Sequence, residues 1–139
     1  MILKGKTVLV TGVGAGLGRE CAASALRDGA NVVLGARTEA ALESVAAELD
    51  PTGERVAFQA TDITDPDSCT AIVELAQTRF GSVDALIQVA AFEHAWGGLY
   101  DTKFENWRKA FDTNVIGALT LLRPVAAAMK AGGGGSVVL

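Results

Sequence analysis

The sequence predicts an α/β protein built on a doubly wound parallel sheet. Three observations carry this. Strand-like apolar runs alternate with helical stretches along the whole chain. The runs are close to continuously apolar, as strands covered on both faces must be. The first run opens through a glycine-rich turn, TGVGAGLG, directly into a helix, which is how a chain forms a phosphate cradle.

The elements follow in order. The first strand spans about 6–11, with Val8, Leu9 and Val10 as its apolar run. A helix over about 17–28 presents Leu17, Cys21 and Ala25, flanked by Ala22 and Leu26, and Gly29 stops it. NVVLGA is the second strand, about 31–36. The helix over about 39–49 sets Leu42, Val45, Ala46 and Leu49 on one face, at helical spacing. A Pro51-Thr52-Gly53 turn leads to the third strand, about 55–60. Asp65-Pro66 reads as an N-cap followed by proline at the first helical position. The helix it opens, about 66–80, carries Cys69, Ile72, Val73, Ala76 and Phe80 on one face and ends at Gly81. The fourth strand is VDALIQVAA, about 83–91, and a looser segment, about 92–103, follows. A long helical stretch, about 104–131, contains Pro124, which should kink or loosen it. Gly132 to Gly135 break that helix, and SVVL begins a fifth, buried-looking strand in which the sequence ends. No internal repeat or linker interrupts the pattern.

The chain has 139 residues, half of them hydrophobic and a fifth charged, which suits a globular fold with a sizeable core. Its net charge of −4 and lack of a basic cluster speak against nucleic acid as a partner. No apolar run approaches a membrane span, and MILKGK has no secretory pattern, so a cytoplasmic location is expected. Two cysteines and one histidine make a poor metal site and no disulfide framework.

The glycine spacing narrows the chemistry. G-x-G-x-x-G fails, because Gly12 and Gly14 would require glycine where Leu17 stands, and a P-loop lacks its lysine. The pattern that fits is T-G-x-x-x-G-x-G, at Thr11, Gly12, Gly16 and Gly18. This stretch resembles the cofactor loop of the short-chain dehydrogenase/reductases, NAD(P)-dependent oxidoreductases on a Rossmann sheet. The resemblance makes Thr11, Gly12, Gly14, Gly16, Leu17 and Gly18 candidate cofactor-binding residues.

Ligands bind such sheets beyond the carboxyl ends of the strands, so those positions carry most weight. After the second strand stands Ala36, where an acid would grip an NAD ribose, and then Arg37 and Thr38. A guanidinium there can fork a 2′-phosphate, which favours NADP and leaves NAD possible; alternatively, Arg37 is a solvated arginine near a helix start. After the third strand come Asp62 and Ile63. The resemblance implies that this aspartate meets the adenine, with the next residue's backbone beside it; from its residue type alone, Asp62 could cap a local turn, or do both.

After the fourth strand the family carries Asn-Asn-Ala-Gly, whereas this chain reads Gln88-Val89-Ala90-Ala91. Ala90 and Ala91 are small enough to admit a nicotinamide ribose. Gln88 can replace one amide and Val89 cannot. The string W-x-x-x-F-x-x-N-V-x-G resembles the family helix whose asparagine belongs to the active site, so Asn114 is the catalytic candidate. It should be buried among Val115, Ile116 and Leu119, where a satisfied core asparagine is the other reading. Trp107 and Phe111 are expected in the core. His94 receives no role.

The resemblance puts a serine after the fifth strand and a tyrosine–lysine pair on the next helix. The 139 residues hold no such set, since Tyr100 is followed by Phe104 where the lysine should stand. The sequence is therefore expected to be the N-terminal, NAD(P)-binding Rossmann part, 1–139, of a larger single domain, truncated after the fifth strand. The expected function is hydride transfer between NADP(H) and a small-molecule alcohol or carbonyl. Two alternatives are a non-catalytic dinucleotide-binding module and an S-adenosylmethionine-dependent methyltransferase, which would use the G-x-G-x-G within GVGAGLG but want acids where Thr11 and Ala36 stand. Family members are commonly dimers or tetramers built on the long helix, so a homo-oligomer is expected.

Overall fold

In the computed structural model, which describes residues 1–139, five strands form one all-parallel sheet in the order β3-β2-β1-β4-β5. The strands are β1 (Thr7–Thr11), β2 (Asn31–Ala36), β3 (Val56–Ala60), β4 (Ala85–Gln88) and β5 (Ser136–Val138). They alternate with α1 (Leu17–Arg27), α2 (Glu39–Leu49), α3 (Pro66–Phe80), α4 (Phe104–Phe111) and α5 (Ala118–Ala131). The doubly wound expectation holds element by element, and its physical basis is visible in two separate cores. Alternate residues of the strands feed opposite faces. Val8, Val10, Val32 and Leu34 pack under α1 and α2 with Ala22, Leu26, Leu42 and Val45. Leu9, Val33 and Leu86 point the other way, against Ile72, Val73 and Ala76 of α3 and Leu121, Val125 and Met129 of α5.

The helix ends follow their local chemistry. Asp65 caps α3 by accepting from the Asp67 N–H at 3.0 Å, and Pro66 occupies the first turn. Gly81 ends α3 in the left-handed region at φ 85°.

Five expectations need correction. The buried residues of α1 are Gly18, Ala22, Ala23, Ala25 and Leu26, while Leu17 is exposed, because it lies at the cleft beyond the strand ends rather than against the sheet. β4 stops at Gln88: residues 89–91 leave the sheet where Gly12 crowds their backbone, although the Val89 N–H still donates to the Thr11 carbonyl at 2.9 Å. The long helical stretch is not regular throughout: a π-helical turn over Asp112–Gly117 interrupts it, upstream of Pro124, which lies inside α5. Trp107 is only half-buried and Phe111 is exposed, as are Asn114, Val115, Ile116 and Leu119, since no element within these residues covers that face. β5 is likewise exposed, for it is an edge strand paired on one side only.

Asp84 fastens the opposite, amino end of the sheet. Its Oδ2 accepts from the Thr7 N–H at 2.9 Å and the Ser82 hydroxyl at 2.6 Å, and its Oδ1 pairs with Lys6 Nζ at 2.9 Å. Burial alone would raise this carboxyl, but the Ser82 and Thr7 donors and the Lys6 charge outweigh it and hold it below its ordinary value. The folded state thus favours the ionised form, so this stabilisation is complete above the usual carboxylate range and is lost as pH falls through the lowered value. Urea midpoints measured from about pH 6 to pH 2 will fall less steeply in Asp84→Asn than in the parent. Leu9→Ala, at a fully buried position of the central strand, will cost about 2–5 kcal/mol by denaturant unfolding.

Candidate functional site

A cleft of about 610 Å³ runs along the carboxyl ends of β1, β2, β3 and β4. It lies where the chain reverses direction across the sheet, between β1 and β4, which is where open α/β sheets bind ligands. Its walls combine the glycine turn, the β2 and β3 ends, the 89–93 loop and Thr113.

The glycines of the turn have three different physical reasons. Gly12 has φ +77°, and a Cβ there would lie 2.2 Å from the Ala90 backbone nitrogen. It allows the turn to touch the end of β4. A Cβ on Gly18 would stand 2.6 Å from the Gly12 carbonyl, so that glycine, itself buried, lets α1 settle on the turn. At Gly14 and Gly16 a Cβ would meet nothing within 4 Å, so these two keep open the space a ligand needs to reach the backbone. No side chain caps α1, so its first-turn N–H groups lack a side-chain acceptor and its positive dipole end adjoins the open turn.

On the β2 side, Arg37 and Thr38 line the cleft. Thr38 occupies the N-cap position of α2 without making the cap bond, which leaves its hydroxyl free. Asp62 makes a local turn, accepting at Oδ1 from the Thr64 hydroxyl (2.7 Å) and N–H (2.9 Å). These two bonds, with the Arg37 charge adding to them against a burial penalty, hold its carboxyl below the ordinary range. Its Oδ2 has no partner within the chain. Ile63 lines the cleft and is also buried in the second core.

On the β4 side, Gln88 bridges the two strands that flank the crevice. It accepts from the Thr11 hydroxyl at 3.2 Å and donates to the Ala90 carbonyl at 3.3 Å, so one amide does fix this loop. Asn114 reaches it from the π turn. Its Oδ1 accepts from the Phe92 N–H at 2.7 Å and its Nδ2 donates to the Phe92 carbonyl at 3.1 Å. The expectation that Asn114 is buried fails, yet both polar atoms of its amide bond the loop.

Of the candidate residues, Thr11, Gly12, Gly14, Leu17, Arg37, Thr38, Asp62, Ile63, Ala90 and Ala91 line one cleft. Gly16, Gly18 and Asn114 lie outside its lining: Gly16 is exposed at the N-cap of α1, Gly18 is buried against the Gly12 carbonyl, and Asn114 holds Phe92. Thr61, Thr64, Glu93 and Thr113 also line it without having been singled out from sequence, as does Val89, noted there only as unable to replace an amide. Strand-end position could have flagged Thr61 and Val89. No local signal marks Thr113, which depends on the π turn. No three His, Cys, Asp or Glu side chains converge as metal ligands, and no helix is long and apolar enough to cross a membrane.

The family model described as short chain dehydrogenase matches residues 6–139. This chain belongs to the short-chain dehydrogenase family. Sorbitol dehydrogenase of Cereibacter sphaeroides is 37% identical over 140 residues, covering 100% of this chain and 53% of that enzyme. A short-chain dehydrogenase/reductase of Mycobacterium ulcerans superposes with a TM-score of 0.91 at 30% identity, over 97% of this chain and 50% of that one. Actinorhodin polyketide ketoreductase, solved with NADPH, gives a TM-score of 0.86 at 28% identity, over 95% and 51%. The chain thus spans about half the length of these relatives. Family members bind NAD or NADP, and the relatives are dehydrogenases and reductases.

The two kinds of glycine separate in a stability experiment. Gly12→Ala forces a Cβ into backbone at a positive φ and will lower the unfolding free energy by more than about 1 kcal/mol. Gly14→Ala will stay within about 0.5 kcal/mol of the parent in the same denaturation measurement.

Proposed function

We propose that this short-chain dehydrogenase chain binds a nicotinamide dinucleotide, NADP(H) in preference to NAD(H), along the carboxyl edge of its sheet. In this reading it supplies the binding portion of an oxidoreductase acting on a small alcohol or carbonyl. The observation that carries the reading is the open cradle at Gly14 and Gly16 beside the uncapped start of α1, continuous with Arg37 on one side and Ala90–Ala91 on the other. A pyrophosphate sits at the turn over Gly12, Gly14, Gly16, Leu17 and Gly18, and Thr11 steadies the turn from below through Gln88. The free hydroxyl of Thr38 and the guanidinium of Arg37 take a 2′-phosphate. Asp62, with its unshared Oδ2, and the Ile63 backbone face the adenine; Ala90 and Ala91 leave room for the nicotinamide ribose.

When bound, the nicotinamide would supply the hydride chemistry. The chain's own part is to bind, orient and hold the active-site loop. Asn114 is the active-site asparagine of this reading: it fixes Phe92, and through it the loop at the nicotinamide end. Residues 1–139 form the dinucleotide-binding part of one domain, with the proton-donating tyrosine and lysine outside them. The exposed row Phe111, Val115, Ile116 and Leu119 supports self-association through the α4–α5 face.

Titration with NADPH, NADH and S-adenosylmethionine tests the reading. Saturable NADPH binding is expected, and binding of S-adenosylmethionine alone would overturn it. Arg37→Asp will weaken NADPH by roughly 10- to 100-fold, the scale of a lost charge-assisted pair, and NADH by no more than about threefold. Equal losses would remove the 2′-phosphate role from Arg37.

A further inference from the structure

Three charged residues line the cleft, and they are divided between its two sides. Arg37 and Asp62 stand at the ends of β2 and β3. Glu93 is alone on the β4 side, where no lysine or arginine joins the lining. Glu93 takes part in none of the ion pairs of the fold, which join Asp28, Asp84, Glu20, Glu48 and Glu105 to their cations. Its carboxylate is therefore free to act on whatever occupies that side. The segment carrying it is held in place, because Asn114 fixes both the N–H and the carbonyl of the preceding residue, Phe92, at 2.7 and 3.1 Å. The His94 ring meets Phe92 edge-on at 5.5 Å, on the other side of Glu93 in sequence.

We propose that Glu93 is a specificity-determining residue that favours the oxidised over the reduced nicotinamide. The inference rests on the reading above, in which the adenosine lies toward Arg37 and the nicotinamide toward Ala90 and Ala91. The two redox forms of the dinucleotide differ at the ring: the oxidised ring carries a positive charge and the reduced ring is neutral. A carboxylate on that side attracts the first and leaves the second nearly unaffected. Because Glu93 is exposed, solvent screens the attraction, and the preference is roughly 3- to 10-fold and salt-sensitive.

The test is a set of calorimetric titrations of the chain with NADP⁺ and NADPH at low and high salt. In Glu93→Gln the NADP⁺ affinity is expected to fall roughly 3- to 10-fold while NADPH affinity holds, with a larger fall in Glu93→Lys. The contrast should shrink at high salt. Glu74→Gln, an exposed change on α3 that alters net charge equally, should leave the ratio of the two affinities unchanged. Equal changes for both nucleotides, or none, would overturn the inference while leaving dinucleotide binding intact. Failure of the parent chain to bind either nucleotide would overturn the binding reading and this inference with it.

Discussion

The contact on which the site depends is the approach of Gly12 to the backbone at the end of β4. A side chain at that position would stand 2.2 Å from the Ala90 nitrogen, so only glycine lets the two segments touch. The contact sets where β1 ends and where β4 leaves the sheet. Gln88 reinforces it from within, bonded on one side to Thr11 and on the other to Ala90. The floor of the cleft is therefore backbone held against backbone, and the space above Gly14 and Gly16 stays open because the crowding is confined to Gly12 and Gly18.

The two cores give that contact its rigidity. β1 sends Val8 and Val10 to one layer of helices and Leu9 to the other, so the central strand is fixed from both faces. Parallel strands place all their carboxyl ends on one edge, and that edge collects the glycine turn, Arg37, Asp62 and the 89–93 loop. At the opposite edge, the Asp84 cluster joins β1 to the start of β4. The strand pair flanking the crevice is thus tied at both ends.

The π turn is the third device. A wider turn within the helical stretch places Asn114 where its amide meets both backbone groups of Phe92. Single π turns inside helices recur at functional sites, and here the distortion delivers a side chain to the cleft loop. A polar side chain at the helix surface thereby orders a loop that has no strand partner of its own. The same stretch leaves Phe111, Val115, Ile116 and Leu119 exposed, because no element within these residues covers that side.

Local patterns in the sequence determined the strands, the helices and the glycine turn. Apolar period, the Asp65-Pro66 start and the Gly29 and Gly81 stops act within a few residues, so they are legible without the fold. The family resemblance added the strand-end positions, and most of those named converge on the cleft. Tertiary structure alone decided the rest. Helical spacing gives a face but not what covers it, which is why Leu17, Phe111 and the surroundings of Asn114 read as core and stand exposed. The π turn, and with it Thr113 in the lining, depends on how the long helical stretch packs against the sheet. The positions of Glu93 and of the free Thr38 hydroxyl depend on elements far apart in the chain, and no local spacing encodes them.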